Sequence, residues 1–370
     1  MNLTDQVTGA LAKVIDPELR RPITELGMVG EVIETGETVS VQIKLTVTGC
    51  PAADTIRADV ETALRAIPGD RNFDVRLDVM TPAERAVLKQ SLLGGRAPRT
   101  NPFGADTLTR VFLIGSGKGG VGKSSLTANL AVALAQRGLR VGLVDADIFG
   151  FSIPGQLSIT DKPTRIDEMI LPPVAYGVKV ISIGMFLEEN KPVAWRGPML
   201  HRAVEQFLVD VYWGDLDYLL IDLPPGTGDI AISLGQLLPT AKHVVVTTPQ
   251  IAASDVAERS GAVGLQTGQS IFGVIENMAW LEQADGSRLE LFGSGGGQTV
   301  ADRLSALSGQ TVPLLAQVPI SVGLREGSDA GIPVVVANPQ DLASVEILKI
   351  AEKFAEDQLG LSGRRLKLSV

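Results

Sequence analysis

A glycine-rich run with two lysines, between residues 115 and 125, carries the clearest chemistry in this sequence. Its spacing, Gly117-x4-Gly122-Lys123-Ser124, is typical of a phosphate-binding loop, in which glycine lets backbone N–H groups converge on phosphate oxygens. Lys123 is then expected to reach the β- and γ-phosphates, and the Ser124 hydroxyl to bind Mg²⁺. The predicted nucleotide-binding residues are Gly115, Ser116, Gly117, Lys118, Gly119, Gly120, Val121, Gly122, Lys123, Ser124 and Ser125.

The same glycines also fit a second pattern, the fingerprint of dinucleotide-binding folds. Gly115-x-Gly117-x-x-Gly120 has its spacing, and Asp145 ends the next predicted strand about where a ribose-binding acid belongs. This pattern does not account for the Lys-Ser pair that follows, whereas the phosphate loop accounts for the glycines as well. We therefore favour the mononucleotide interpretation.

Two carboxylates follow the next predicted strand, and a third ends a later one. Asp145 and Asp147 come after the apolar run 141–144, and Asp222 follows the run 219–221 in the manner of a Walker-B motif. Nucleotides bind at the carboxyl ends of parallel strands, and strand alternation would turn Asp145 and Asp147 to the same side. Asp147 is predicted to orient the attacking water, and Asp147 and Asp222 to support Mg²⁺ through water.

A turn rich in proline and glycine follows Asp222 and reads Pro224-Pro225-Gly226-Thr227-Gly228-Asp229. Prolines stiffen the backbone, whereas Gly226 leaves its N–H uncovered. We expect that N–H to lie beside the γ-phosphate, where the turn could sense whether the phosphate is present.

The elements around the loop predict how these residues are brought together. A short apolar strand over 110–114 precedes the loop and a helix over 124–137 follows it, so the phosphates would meet the positive end of the helix dipole. Further strands are predicted at 141–144, 178–183, 218–221, 243–248 and 271–275, and further helices at 199–212, 230–238, 252–267, 297–308 and 340–358. This alternation predicts an α/β fold with a doubly wound, mostly parallel sheet.

A smaller domain is predicted before this sheet. Its predicted elements are a helix over 4–14, strands over 29–34 and 40–47, a helix over 52–66, a strand over 73–79 and a helix over 81–92. The segment that follows is rich in glycine, proline and polar residues, as linkers are. The predicted organisation is a small α+β domain over 1–93, a linker over 94–109 and a P-loop ATPase domain over 110–370.

The charge, the aromatic content, the apolar runs and the single cysteine limit the partners and the compartment that this chain is expected to have. The chain has 370 residues, a formal net charge of −9 and 4% aromatic residues, which argues against nucleic acid as a partner. No apolar run approaches the length of a membrane span, and the first residues do not read as a signal peptide, so no membrane association is expected. The single cysteine, Cys50, fits a reducing compartment, and a cytoplasmic protein is expected.

Taken together, these motifs resemble those of a known group of proteins. The two-lysine loop, Asp145-Ala146-Asp147 and the stretch 222–229 resemble the MinD/ParA group of dimeric ATPases. Within that group the chain looks like the Mrp/ApbC family of iron–sulfur cluster carriers, which it also resembles at Trp195-Arg196-Gly197-Pro198-Met199, Glu276-Asn277-Met278 and Phe292-Gly293-Ser294-Gly295-Gly296-Gly297. The N-terminal part separately resembles the small domain of iron–sulfur assembly factors, at Asp16-Pro17-Glu18 and Thr46-x3-Cys50-Pro51.

The resemblance implies roles for residues that the motifs alone do not explain. It implies a homodimer in which Lys118 reaches across to the partner's nucleotide and adds positive charge in the transition state. It also implies that Asn277 and the turn Val318-Pro319 contact adenine. It assigns no mechanism to Trp195 and Arg196, which could equally be a packed aromatic and a structural ion pair.

One departure from the family concerns the iron–sulfur cluster. Many members carry Cys-x-x-Cys between the stretches that correspond to 276–278 and 292–297, and a ferredoxin-type cluster needs about four thiolates. Here the interval 279–291 holds no cysteine, and Asp285-Gly286-Ser287 is predicted to be a hairpin turn. A bound cluster is thus implied by the resemblance but not supported by a cysteine motif in this chain.

Cys50 is the remaining candidate for an iron–sulfur or thiolate role. Pro51 suits the first position of the helix predicted over 52–66, which would place Cys50 at its cap. Backbone N–H groups and the helix dipole lower the pKa of a thiol in that position. The alternative is a small apolar residue packed under the helix, and the sequence leaves both open.

The predicted function is slow, Mg²⁺-dependent hydrolysis of ATP by a homodimer that assists iron–sulfur cluster assembly or delivery to client apoproteins. The predicted catalytic residues are Lys118, Lys123, Asp147 and Asp222. The alternative is a nucleotide-switched protein that docks clients and carries no cluster itself.

Overall fold

The computed structural model describes residues 3–36, 38–68, 71–93, 100–148, 150–186 and 197–357. Trp195 and Arg196 lie outside the described residues, as does part of the predicted linker, residues 94–99. The chain divides into two compact units.

Strands and helices are numbered here in chain order. The strands are β1 (Val29–Thr35), β2 (Thr38–Leu45), β3 (Asn72–Val79), β4 (Arg110–Ser116), β5 (Val141–Asp145), β6 (Thr164–Ile166), β7 (Met169–Leu171), β8 (Val174–Ala175), β9 (Val178–Ser182), β10 (Tyr218–Asp222), β11 (Lys242–Thr247), β12 (Ser270–Asn277), β13 (Leu281–Glu282), β14 (Arg288–Leu289) and β15 (Leu314–Val318). The helices are α1 (Leu3–Leu11), α2 (Ala53–Arg65), α3 (Pro82–Leu93), α4 (Lys123–Gln136), α5 (Ile153–Gln156), α6 (Gly197–Val209), α7 (Asp229–Leu237), α8 (Ile251–Gln266), α9 (Gly296–Ser308), α10 (Val322–Ala330), α11 (Val334–Ala337) and α12 (Leu342–Glu356).

The first unit comprises Met1–Thr100, Asp161–Val174 and Val209–Gly214. Its three-stranded sheet has the order β1-β2-β3, with β1 antiparallel and β3 parallel to β2. Buried and half-buried side chains alternate along β2, as they do in a strand with one face on a core. Helix α2 buries Ile56, Val60 and Leu64, which lie on one face because they are four residues apart. These side chains share one apolar cluster with the buried residues of β2.

A hairpin from later in the chain completes this core. Strands β6 and β7 pair antiparallel, and their side chains Ile166, Met169 and Leu171 are buried in the same apolar cluster. The Ile170 N–H donates to the Asp210 carbonyl oxygen at 2.8 Å, which joins the hairpin to the third stretch of the unit. The unit is therefore assembled from three separate stretches of sequence, while the predicted boundaries at residues 93 and 110 stay predictions.

The second unit is built on an eight-stranded sheet with the order β15-β12-β11-β4-β10-β5-β9-β8. All neighbours from β15 to β9 pair parallel, and β4 lies in the middle, between β11 and β10. Strands β5, β9 and β10 are buried at every position, as parallel strands covered on both faces are. The predicted α/β fold with a mostly parallel sheet is confirmed.

The short strand pair after β12 is also confirmed. Strands β13 and β14 pair antiparallel, with Leu281 opposite Leu289, around the predicted turn Asp285-Gly286-Ser287. The Asp285 carboxylate accepts from the Ser287 N–H at 2.9 Å, which closes the turn locally. In the part of the chain that the structure describes, no helix is long and apolar enough to cross a membrane.

Several elements were not predicted, namely β6, β7, β8, β15, α5, α10 and α11. Helix α10 was missed because it contains two glycines, which disfavour helices. It begins where the Ser321 hydroxyl accepts from the Leu324 N–H at 2.9 Å, and it ends at Gly331, whose φ is +71°. Gly327 is required there, because a Cβ would overlap the carbonyl oxygen of Ile332.

Candidate functional site

The predicted phosphate loop connects β4 to α4. Gly122 precedes α4 with a φ of +79°, a left-handed conformation that costs glycine little. A Cβ on Gly122 would overlap the side-chain amide of Asn277, and a Cβ on Gly117 would overlap the backbone at Val256 in α8. The path of the loop therefore requires glycine at both positions.

A cavity of about 590 Å³ lies beside the loop, within the size range of small-molecule sites. Its lining residues are Ser116, Lys118, Gly119, Gly120, Val121, Gly122, Lys123, Ser124, Ser125, Asp147, Gly150, Ser152, Gln156, Pro224 and Pro225. Gly115 and Gly117 lie instead against Ser260 and Val256 of α8. The cavity thus collects segments from the carboxyl ends of β4, β5 and β10, the edge at which parallel sheets bind nucleotides.

Lys123 and Ser124 both contact Asp222 at one end of this cavity. The Lys123 Nζ lies 2.8 Å from Asp222 Oδ1, and the Ser124 hydroxyl donates to Asp222 Oδ2 at 2.5 Å. Thr127, one helical turn after Lys123, has its hydroxyl 3.0 Å from Asp222 Oδ1. Asp222 is fully buried and Lys123 is 6% exposed, so this ion pair is largely shielded from water.

The same residues fit a Mg²⁺ ion. Mg²⁺ prefers oxygen ligands and keeps several waters, and the Ser124 hydroxyl and the Asp222 carboxylate are adjacent oxygen donors at the cavity. An ion held there would take the place of the hydrogen bond between them. Lys123 would then be free to exchange its contact with Asp222 for one with a phosphate.

Asp145 organises the loop after β5. Its carboxylate is fully buried and accepts hydrogen bonds from the backbone N–H groups of Asp147 (3.2 Å), Ser152 (3.1 Å) and Ile153 (3.2 Å). Burial above all, and then the nearby charge of Asp222, raises the pKa of Asp145 to about 7. This side chain shapes the segment that borders the cavity and does not belong to its lining.

Asp147 is the carboxylate of the pair that lines the cavity. Strand β5 ends at Asp145, so the strand alternation that predicted a common side does not extend to Asp147. Its Oδ1 accepts from the Gly150 N–H at 3.0 Å, which curls the loop around the carboxylate. Of the two residues, Asp147 is therefore the one placed to act on a ligand.

The Gly226 N–H, which is predicted to lie beside a γ-phosphate, has a hydrogen-bond partner within the protein. With a φ of +91°, Gly226 donates this N–H to the Ser116 carbonyl oxygen at 2.8 Å. Pro224 and Pro225, from the same turn, line the cavity. Contact between the Gly226 N–H and a γ-phosphate would require the hydrogen bond to Ser116 to open.

Asn277 lies at the end of β12, against the phosphate loop. Its side chain is 2% exposed, and its Nδ2 donates to the Val121 carbonyl oxygen at 2.9 Å. Its Oδ1 is buried and has no hydrogen-bond partner among the residues described. Pro319 is buried directly after Val318, which pairs with Asn277 in the parallel register of β12 and β15. The two predicted adenine contacts thus lie on neighbouring strand ends.

Lys118 is an exposed residue of the cavity lining. The Ser116 hydroxyl donates to its carbonyl oxygen at 3.0 Å, which holds the start of the loop. The pKa of Asp255 in α8 lies below its usual range, mainly because of Arg303 and more weakly because of the positive charge of Lys118. The Lys118 side chain is therefore accessible from outside its own subunit, as a contact to a partner's nucleotide would need.

Cys50 does not have the environment predicted for an activated thiolate. The cap of α2 is Ala52, and Cys50 lies before it, 6% exposed, in the apolar cluster of the first unit. Burial first, and then the charge of Glu18, raises the pKa of the Cys50 thiol to about 11. The expectation of a lowered pKa is wrong, because removal from water outweighs the helix N-terminus.

Five residues of the site were not predicted from the sequence. Thr127 contacts Asp222, the Ser182 hydroxyl donates to Asp145 at 3.2 Å, and the cavity is also lined by Gly150, Ser152 and Gln156. Thr127 could have been found, since it lies one turn after Lys123 on the same helix face. In the described ranges, no group of three or more His, Cys, Asp or Glu side chains is arranged to hold a metal ion.

Two family descriptions match this chain. The family described as NUBPL iron-transfer P-loop NTPase matches residues 107–355, and the one described as iron-sulfur cluster assembly protein matches residues 4–76. A Mycobacterium bovis protein named iron-sulfur cluster carrier protein is 52% identical over 370 residues, which cover 99% of this chain and 97% of the relative.

Two solved structures are similar to this chain. A nucleotide-binding protein from Archaeoglobus fulgidus in complex with ADP has a TM-score of 0.52 and 37% identity, over 60% of this chain and 86% of that chain. The septum site-determining protein MinD from Pyrococcus horikoshii, complexed with Mg-ADP, has a TM-score of 0.50 and 25% identity, over 70% of this chain and all of that chain (100%).

Proposed function

This chain belongs to the family of NUBPL iron-transfer P-loop NTPases, and we propose that it is an iron–sulfur cluster carrier whose work is driven by slow, Mg²⁺-dependent hydrolysis of ATP. The observation that carries the proposal is the contact of Lys123 and Ser124 with the buried carboxylate of Asp222 at the edge of a cavity of about 590 Å³. In the proposal Lys123 is the phosphate-binding lysine, Ser124 the metal-binding hydroxyl and Asp222 the Walker-B carboxylate.

The proposed reaction is attack of water on the γ-phosphorus, with loss of ADP. Lys123 moves from Asp222 to the phosphates, and the loop N–H groups bind their oxygens. Asp147 accepts a hydrogen bond from the attacking water and thereby orients it. Ser124 and Asp222 would hold a Mg²⁺ ion, which would supply positive charge to the phosphate oxygens. Gly226 responds to the γ-phosphate by exchanging its hydrogen bond to Ser116.

The second lysine is proposed to act on the partner's nucleotide in a homodimer. Lys118 is exposed and lines the cavity mouth, so it can serve a second subunit without being withdrawn from a core. A positive charge added in trans at the transferring phosphate is worth about 10³-fold or more in turnover.

Turnover of a Lys118→Ala variant tests this mechanism. We expect ATP hydrolysis to fall by about 10³-fold, while equilibrium binding of ATP changes only a few-fold, because Lys123 and the loop remain. Lys162→Ala, which removes another exposed lysine, is the matched control and should hydrolyse ATP normally. Normal turnover by Lys118→Ala would refute the role in trans. A monomeric mass of the ATP-bound protein at the concentration of the assay, measured by sedimentation, would refute the dimer.

The cargo is proposed to pass to client apoproteins in the cytoplasm, a reducing compartment that suits a chain with one cysteine. A second candidate function is a nucleotide-switched docking protein that holds no cluster itself. The burial and raised thiol pKa of Cys50 favour this second function. Anaerobic reconstitution with iron and sulfide, followed by iron counting on the wild type and on Cys50→Ser, separates the two. Bound iron in the wild type supports the carrier, and its absence supports the docking switch.

A further inference from the structure

Gln156, in α5, is a residue of the cavity lining that the proposed hydrolysis does not use. Its Nε2 donates to the Ser152 hydroxyl at 3.0 Å. Its Oε1 is buried and accepts no hydrogen bond from the residues that the structure describes. A buried acceptor without a donor is costly, and it is explained where a molecule that enters the site supplies the donor.

The position of Gln156 is fixed by hydrogen bonds that begin at Asp145. The Ser152 N–H donates to Asp145 Oδ2 at 3.1 Å, and the Ser152 hydroxyl accepts from Gln156. The Ile153 N–H, at the start of α5, donates to the same Oδ2 at 3.2 Å. Because Asp145 is fully buried at the end of β5, the start of α5 and the Gln156 carboxamide are anchored to the sheet.

Asp147, the other acceptor of this lining, is tied to the same carboxylate. Its N–H donates to Asp145 Oδ1 at 3.2 Å, and its own Oδ1 accepts from the Gly150 N–H at 3.0 Å. A Cβ on Gly150 would lie 3.1 Å from Asp147 Oδ2, so glycine lets the loop close around the carboxylate. Asp147 and Gln156 are thus held relative to one another, because each depends on a different oxygen of Asp145.

The serine and lysine side chains of the lining have other partners or no acceptor atom. The Ser116 hydroxyl donates to a carbonyl oxygen of the loop at 3.0 Å, and the Ser124 hydroxyl donates to the Walker-B carboxylate at 2.5 Å. The Ser125 hydroxyl accepts from a hydroxyl of α10 at 3.2 Å. Lysine side chains carry donors only. Within the described ranges, Gln156 Oε1 is therefore the buried acceptor of this lining that a donor from the cavity would satisfy.

The attacking water of the proposed hydrolysis is such a donor. In an in-line attack the water turns a lone pair to the γ-phosphorus, so both of its O–H groups point away from the phosphate. Asp147 accepts one of them in the proposed mechanism, and the other needs a second acceptor in a cavity that shelters it from bulk water.

We propose that Gln156 is a further catalytic residue of the hydrolysis: its Oε1 accepts the second O–H of the attacking water and thereby aims the water at the γ-phosphorus. The proposal rests on the proposed function, because it assumes that the cavity beside the loop holds ATP. Asp145 is the positioning residue of the pair, since it touches neither water nor phosphate and acts through Asp147 and Ser152.

Gln156 takes no proton in this step. The water oxygen bonds to the γ-phosphorus while the bond from that phosphorus to the bridging oxygen breaks, and ADP leaves with the electron pair. Both water protons stay with the transferred group, so ATP and water give ADP and dihydrogen phosphate. A carboxamide oxygen is not protonated at neutral pH, so Gln156 contributes orientation and not acid–base catalysis.

Gln156→Met tests the proposal, because methionine has nearly the size of glutamine and no acceptor oxygen. We expect kcat for ATP to fall about 10²-fold, the loss typical of a misplaced reacting group, while the Kd for ATP changes less than about twofold. The affinity for ADP with aluminium fluoride, which mimics the transferring group and its in-line water, should fall by the same factor as kcat. Gln136→Met, at the exposed end of α4, is the matched control and should hydrolyse ATP normally.

Gln156→Glu keeps an acceptor oxygen and should turn over at least about tenfold faster than Gln156→Met. Equal turnover of these two variants, or normal turnover of Gln156→Met, would overturn the catalytic role. A lower kcat with unchanged affinity for ADP and aluminium fluoride would overturn it as well, because the loss would then not lie in the transition state. Absence of ATP hydrolysis by the wild type would instead overturn the proposed function.

Discussion

The core of the first unit depends on a hairpin that belongs, by sequence, to the ATPase part of the chain. Leu171 in β7 is fully buried in the apolar cluster of that unit, together with residues of β2 and α2. Replacing a fully buried leucine by alanine costs about 2–5 kcal/mol, from the lost burial and the cavity that remains. For Leu171→Ala we expect the free energy of unfolding of the first unit to fall by about 3 kcal/mol, which raises its unfolded fraction about a hundredfold.

Native-state hydrogen exchange resolves this effect by unit. Amides of β2 should exchange about a hundredfold faster in Leu171→Ala, whereas amides of β10 in the large sheet should be unaffected, because each compact unit has its own core. Glu168→Ala, at an exposed position of the same hairpin, is the control and should exchange like the wild type. If β2 amides behave alike in the two variants, the hairpin does not stabilise the first unit and the reasoning fails.

Three further outcomes are expected. Gly122→Ala should abolish ATP binding measured by calorimetry, because the φ of Gly122 is +79° and the new methyl group would overlap Asn277. Gly138→Ala is the control, since Gly138 has a φ of +80° but open space around it. This variant should strain the backbone and keep ATP binding. Burial holds the pKa of His243 below its ordinary 6.5, so the unfolded chain takes up a proton below about pH 6.5 that the folded chain refuses. The free energy of unfolding, measured with urea, should therefore not depend on His243 above pH 6.5 and should fall by up to about 1.4 kcal/mol per pH unit below pH 6.5. A His243→Leu variant whose free energy of unfolding falls equally at acid pH would contradict this. Because the Cys50 thiol has a pKa of about 11, its alkylation should be slow at neutral pH and still rising at pH 10; a rate that levels off near pH 8.5 would show an ordinary, accessible thiol.

Sequence patterns were sufficient for the parts of the site that depend on local geometry. The phosphate loop, its lysine and serine, and the Walker-B carboxylate Asp222 each follow from residue types at fixed spacings within one strand–loop–helix or strand–turn unit. The apolar runs before them identified the parallel sheet, because a strand buried on both faces is apolar along its length. The cavity brings Lys123, Ser124 and Asp147 together as these motifs predicted.

Patterns failed where burial or a distant partner determined the chemistry. The pKa of the Cys50 thiol depends on how far the first unit removes it from water, which the helix-cap pattern does not contain. The Gly226 N–H was expected to be free, but it donates to the carbonyl oxygen of Ser116 at the end of β4. Asp145 and Asp147 were expected on the same side of the sheet, yet Asp145 is tied to its own loop and only Asp147 lines the cavity.

The sequence by itself determined that this chain binds a nucleotide at the end of a parallel sheet, because the residues of the phosphate loop are contiguous in the sequence. Only the tertiary structure decided which later hairpin completes the first unit and which buried carboxylate, Glu276, joins α9 and β15 to the end of β12. The physical reason is that burial and hydrogen-bond partnership are properties of the assembled chain. Residues from α9, β12 and β15 meet at Glu276 although no spacing in the sequence relates them.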